Sequence, residues 1–219
     1  MQITWPAAIL FLGAVLAPIP TQPSATLLEN DQVKVIRALE QTNGLGKFHQ
    51  HDSNRVMVYL QSGNQRFQYQ DGRAPQTFDW KAGQVVWSPA SGMHAGEVLD
   101  HPFNIIEVEL KNKGTDAPVD AARDPLKVAP KDYRLEFENP QVRVLRVMIP
   151  PHASIPMHEH KLNRVTIFLT DQHFSAKDPT GKVTTTDHKA GDIAWGAALE
   201  HAEQNLSDQP FEAVVVELK

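Results

Sequence analysis

Six of the ten histidines in this 219-residue chain fall into two matching sets. His49 and His51 form a His-x-His pair followed at a distance by His94, and His158 and His160 form another followed by His201. On a β-strand, residues i and i+2 leave the same face. Each pair therefore aims two imidazoles one way, and a third from a distant strand completes a facial set of three nitrogen ligands. Such a set leaves positions open for water or substrate, as a reactive metal centre requires and a closed structural one does not. The chain has no cysteine, which excludes disulfides, thiolate catalysis and cysteine-held zinc together. The expected cofactor is a divalent metal ion (Fe, Mn, Ni or Zn) held by His, Asp or Glu.

The histidine sets sit inside a longer duplication. Glu29-Asn30, Gln32-Val33-Lys34-Val35 and Arg37 return as Glu138-Asn139, Gln141-Val142-Arg143-Val144 and Arg146. Asn54-Arg55-Val56 returns as Asn163-Arg164-Val165, and Lys81-Ala82-Gly83 with Trp87 as Lys189-Ala190-Gly191 with Trp195. Both copies close alike, on Val108-Glu109-Leu110-Lys111 and Val216-Glu217-Leu218-Lys219. The unit is too long for a solenoid repeat and has the size of a small domain. The expected organisation is a signal peptide over 1–25, a first domain over 26–111, a linker over 112–130 and a second domain over 131–219.

Period-2 alternation and β-branched runs dominate both copies. Expected strands are Val33–Leu39, Arg55–Leu60, Arg66–Gln70, Gln84–Trp87 and Phe103–Leu110, then Val142–Ile149, Arg164–Leu169, Lys182–Thr186, Asp192–Trp195 and Phe211–Leu218. Asp71-Gly72, Pro179-Thr180-Gly181, Ala90-Ser91-Gly92 and Ser207 to Pro210 mark turns. Only Asp120–Leu126 suggests a turn of helix. Many short strands with frequent turns imply an all-β sandwich or barrel in each copy.

Composition narrows the partners. Net charge is −5 with no basic run, so nucleic acid is not expected. Ala7 to Leu16 is an apolar run of secretory length bracketed by prolines, and Pro23-Ser24-Ala25 offers a small residue at a cleavage point, with Thr26 opening the mature chain. The run is too short for a comfortable membrane span. The expected product is a soluble secreted or periplasmic protein with no membrane span after processing; homodimerisation is left open.

Pro150-Pro151-His152-Ala153-Ser154-Ile155-Pro156-Met157-His158-Glu159-His160 resembles the first cupin motif, a Pro-rich lead into His-x-His. Gly83 through Pro89 to His94 resembles the second motif. Gly191 through His201 to Asn205 resembles it too, without the proline and one residue shorter. Both motifs, twice, across nearly the whole expected mature chain, resemble a bicupin of the cupin superfamily. The resemblance implies two tandem antiparallel double-stranded β-helix barrels, jelly-roll-like, with a metal inside each.

One position departs from that family. Its usual fourth ligand, four residues after the second histidine of the pair, is replaced here by Arg55 and Arg164. Guanidinium has no lone pair to give a metal. By strand parity Arg55 faces inward with Met57 and Tyr59, while Val56, Val58 and Leu60 line an apolar packing face. A cation beside a dication requires an anion nearby. Each arginine therefore either binds an anionic group of a ligand or pairs with a protein carboxylate, for which Glu97, Glu203, Glu109 and Glu217 are candidates. Trp87 and Trp195 are read as core or interface packing, Asn54 and Asn163 as partners of backbone groups, and His101, His152, His173 and His188 as solvated side chains.

The functional reading is a metal-binding bicupin that takes a small anionic molecule. The resemblance implies a dioxygenase-like or isomerase-like enzyme. The alternative is a non-catalytic ligand-binding or structural bicupin without metal. No catalytic acid or base is identifiable from these residues.

Overall fold

A computed structural model describes residues 19–219. The apolar run read as a secretion signal lies outside the described residues. The first copy contains β1 (Ala25–Glu29), β2 (Val33–Glu40), β3 (His49–His51), β4 (Arg55–Tyr59), β5 (Gly63–Tyr69), β6 (Gln76–Trp80), β7 (Val85–Ser88), β8 (Ser91–Val98) and β9 (Phe103–Leu110). After the short helix α1 (Pro125–Val128), the second contains β10 (Tyr133–Glu138), β11 (Val142–Ile149), β12 (Ser154–His160), β13 (Arg164–Phe168), β14 (Gln172–Lys177), β15 (Val183–His188), β16 (Ile193–Gly196), β17 (Leu199–Asn205) and β18 (Phe211–Leu218). The all-β expectation holds. Strands β9, β11 and β18 have the expected bounds, whereas the histidine-bearing strands β3, β8, β12 and β17 were given none, and β8 begins at Ser91, inside the expected turn at Ala90-Ser91-Gly92. They mix Pro, Gly and charged residues and carry little alternation.

The two copies share one topology. A five-stranded antiparallel sheet, β1-β2-β9-β4-β7, stands against a four-stranded one, β3-β8-β5-β6, and the second copy repeats this as β10-β11-β18-β13-β16 and β12-β17-β14-β15. Gly83 and Gly191 hold matching left-handed turns at φ 77° and 90°. Their N–H groups donate to the last residues of β4 and β13, at Tyr59 O and Phe168 O. A side chain with a Cβ is strained in that conformation, which is why this motif carries glycine.

Parity sets what each sheet face buries. Val56 and Val58 on β4, Ile106 and Val108 on β9, Val165 and Ile167 on β13, and Val214 and Val216 on β18 enter one apolar cluster built from both copies. Met57, Tyr59, Phe103 and Ile105 turn instead into the first barrel, and Leu145, Val147, Phe168 and Val215 into the second. The two five-stranded sheets thus pack back to back. Trp87 and Trp195 lie against this shared core. Its rim is stitched by a symmetric pair of hydrogen bonds, Asn54 Nδ2 to Gln141 Oε1 at 2.5 Å and Asn163 Nδ2 to Gln32 Oε1 at 2.7 Å. The same asparagines accept the backbone N–H of Ala90 and Ala198. Either half alone would expose a continuous apolar sheet face, so the halves are bound into one folding unit.

Two segments extend beyond the expected boundaries. Ile19 is buried in the shared core, and Gln22 exchanges backbone hydrogen bonds with the Asn104 side chain. The supposed linker is only half a linker. Ala121, Asp124, Pro125 and Ala129 are buried, Asp124 caps α1 through Leu126 N, and Arg123 O accepts the N–H of Glu159 on β12. Its second half is a lid on the second barrel.

Candidate metal centres

Each centre is made by two adjacent strands. His49 lies directly opposite His94, and His158 directly opposite His201, with a register irregularity in β3 and in β12 beside the pair. Ring centroids in the first triad are 4.8, 4.7 and 5.2 Å apart; in the second they are 5.0, 4.4 and 5.4 Å apart. Of the sequence-predicted ligands, the structure brings together His49, His51 and His94 at one point and His158, His160 and His201 at another, one nitrogen from each within 4.8 Å of the others.

The first centre is open. His49 donates Nδ1–H to Lys47 O at 3.0 Å and His94 donates to Gly92 O at 3.0 Å, leaving each Nε2 with its lone pair. Arg55 Nη1 donates to His51 Nε2 at 3.0 Å, so that nitrogen is the unprotonated one, and its lone pair would reach a metal only with this hydrogen bond given up. His49 Nε2 and His51 Nε2 then face each other at 3.1 Å. Two lone pairs in that position repel, and a cation between them relieves it. Burial first, then the charge of Arg55, pushes His51 down to about 3; burial lowers His94 as well. Both imidazoles are neutral at ordinary pH, as ligands must be.

A cavity of about 560 Å³ opens onto this triad. Its wall is aromatic, with Trp80 stacked on Tyr59 at 4.2 Å and on Phe78 at 4.9 Å. Its polar floor holds Arg55, Ser88, Glu107, Gln65 and Glu40. Arg55 Nη1 donates to Glu107 Oε2 at 2.6 Å and Nη2 to Ser88 Oγ at 3.0 Å, while its buried Nε has no partner. Burial, then the neighbouring Glu107, raises the Glu40 carboxyl above its usual range.

The second centre is closed, with all three histidines buried. His158 donates Nδ1–H to Pro156 O at 3.0 Å, and His160 donates to Glu217 Oε1 at 2.7 Å. A carboxylate behind a ligating imidazole fixes its tautomer and raises its basicity. Glu217 is itself held by Arg143, which also grips Asp124 beneath the lid. His201 Nε2 is buried with no hydrogen-bond partner, an orphan nitrogen of the kind a metal satisfies. Arg164 Nη1 donates to Ala197 O at 2.7 Å. A Cβ on Gly196 would stand 2.9 Å from the guanidinium carbon, so glycine lets it lie flat on the backbone. Tyr133 and Glu203 complete the surroundings; no comparable cavity occurs here among the described residues.

The residues present therefore fit divalent ions at both triads. The arginines resolve differently from each other. Arg55 takes Glu107, which was not among the four candidate carboxylates, and Arg164 pairs with none of them among the described residues. Glu97 pairs with Arg66 and Glu217 with Arg143. Glu107 shares the inward parity of Phe103 and Ile105, which was the available signal. Val215 at the matching place in copy two hid it. Glu40, Tyr133 and the Asp124–Arg143 pair were also missed, since none recurs in both copies. His101, His152 and His173 are exposed, whereas His188 is not simply solvated: it stacks on Phe168 at 3.9 Å.

Compared by sequence, the chain matches no known protein-family profile and no curated relative. Solved structures resemble it closely in shape. AerE from Microcystis aeruginosa is 16% identical over 94% of this chain and 98% of its own, with a TM-score of 0.63. A variant of oxalate decarboxylase from Bacillus subtilis is 12% identical over 89% of this chain and 71% of its own, with a TM-score of 0.60. The Lactobacillus farciminis oxalate decarboxylase–formate complex is 14% identical over 89% and 80%, with a TM-score of 0.59. At such identities the likeness establishes the fold. That fold is a tandem pair of antiparallel β-barrels, as in these oxalate decarboxylases.

Proposed function

We propose that this protein is a bicupin that binds one divalent ion per barrel and receives a small anionic molecule in the first. The single observation carrying this reading is the asymmetry of the centres: about 560 Å³ of aromatic-walled space converges on His49, His51 and His94, while the second triad is sealed. The ligand class is a small molecule with an apolar, planar body and an anionic end. The wall suits the body; the metal, with Arg55 beside it, suits the anion. A bound divalent ion would supply Lewis-acid polarisation or, as Fe(II), dioxygen chemistry. Mn(II) leads the ions to test, because Bacillus subtilis oxalate decarboxylase is described with Mn(II) centres.

Elemental analysis tests the metal. The wild-type chain should carry two ions, and His49→Ala and His158→Ala one each. A ratio near zero in wild type ends the reading. Titration with benzoate and oxalate, followed through the fluorescence of Trp80 and Trp87, tests the ligand; saturable quenching should require metal and be lost in His49→Ala. The hydrogen bond from Arg55 to His51 favours a second reading, in which the first barrel binds its ligand without metal or catalysis. Quenching that survives both chelation and His49→Ala would select it.

Export is proposed on the apolar run at Ala7 to Leu16. The proposed cleavage lies ahead of Ile19 rather than after Ala25, a reading supported by the packing of Ile19 and the hydrogen bonds of Gln22. Intact-mass measurement of protein from its host checks this, and a mature chain starting at Thr26 would count against it.

A further inference from the structure

The second barrel contains a buried carboxylate that no arginine or lysine contacts among the described residues. Glu203 follows His201 by two residues on β17, so both side chains enter the barrel from one face. It is buried at 9% exposure, and no arginine or lysine pairs with it among the described residues. Its contacts are a hydrogen bond from the Tyr133 hydroxyl to Oε2 at 3.0 Å and His201 Nδ1 at 3.7 Å from Oε1. The same hydroxyl lies 3.4 Å from His158 Nε2, placing Glu203 beside the triad. A buried carboxylate needs a cation as well as hydrogen bonds. Arg164 lies in the same barrel, but its Nη1 donates to Ala197 O and it makes no salt bridge with this carboxylate. The orphan His201 Nε2 lies in the same cluster.

We propose that Glu203 is the charge-balancing carboxylate of the second metal centre, returned from β17 after Arg164 took the place on β13 where related barrels carry a ligand. This rests on the metal reading above. At the place of Glu203 the first centre carries Gly96, and the carboxylates within reach of its His51 come from β9 instead: Glu107, which Arg55 takes, and Glu109. The centres are therefore unequal. The second binds its ion more tightly and fills first; the first exchanges its ion and carries the ligand.

The test uses the full chain, stripped with chelator and titrated with Mn(II) or Zn(II) against a competing indicator. In a His49→Ala background only the second centre remains, and adding Glu203→Gln should weaken its affinity by about 10–100-fold, the range seen when a supporting carboxylate is lost. In a His158→Ala background the same change should leave the first centre's affinity unaltered. Metal-free Glu203→Gln should melt at or above the wild-type temperature, because a buried carboxylate with no contacting cation has been removed. Tyr133→Phe keeps the carboxylate and should keep the tight site. Unchanged affinity in His49→Ala/Glu203→Gln overturns the proposal. So does a lowered metal-free melting temperature for Glu203→Gln, which would mark a structural hydrogen-bond acceptor, and so does an equal affinity loss in Tyr133→Phe. Failure of the wild-type chain to bind either ion would overturn the metal reading itself, before any variant is compared.

Discussion

Arg143→Met is expected to destabilise the protein by about 3–5 kcal/mol, the usual cost of removing one partner from a buried ion pair. Arg143 is 5% exposed. Its guanidinium holds Asp124 at 2.7 and 2.8 Å and Glu217 at 3.3 Å. Removing it strands two buried carboxylates, loosens the cap of α1 and frees the group that orients His160. Against a typical total of about 5–15 kcal/mol, this is a large fraction. The duplication supplies a control. Lys34 occupies the matching place on β2, is only half-buried and holds no buried carboxylate. Lys34→Met should cost less than about 1 kcal/mol. Urea denaturation of both variants measures the difference, and equal midpoints would show that the Arg143 network does not anchor the second barrel.

The metal-free protein is expected to lose stability steeply in acid. Burial pushes His160 and His201 down to about 3, against an ordinary value near 6.5. Between those values the unfolded chain holds more protons than the fold, so stability falls as pH falls through that window. Each imidazole contributes on the order of a few kcal/mol across it. Glu217 acts oppositely. Burial raises its carboxyl to about 7, so between its ordinary value near 4.5 and 7 the fold holds the extra proton and gains as pH falls. The two imidazoles outweigh it, and below 4.5 its offset is gone. Thermal melts across pH 3–7 should show the loss, steepest below 4.5, and Glu217→Gln should steepen the upper part. A melting temperature that stays level or rises toward pH 3 would mean that these imidazoles are not held neutral by the fold.

The sequence by itself determined the duplication, the all-β barrels and which histidines converge. These depend on local, periodic information: a strand sends alternate residues to opposite faces whatever surrounds it, so His49 with His51 and Val56 with Val58 could be sorted by parity alone. The same rule correctly turned Met57 and Tyr59 inward. It could not show that Val56 and Val108 meet Val165 and Val216, because two apolar faces look alike until the sheets are docked. Nor could it choose a carboxylate for Arg55. A guanidinium reaches diagonally across strands, and Glu107 and Glu109 share one parity; only the observed register and rotamer select Glu107. The inequality of the centres was least legible. The matching motifs present two equal triads, yet Glu203 opposes Gly96, Tyr133 opposes Ser24, and the segment from Ala121 to Ala129 closes over one barrel. Whether a triad is open or sealed is set by what packs over it from distant parts of the chain, and only the tertiary structure holds that information.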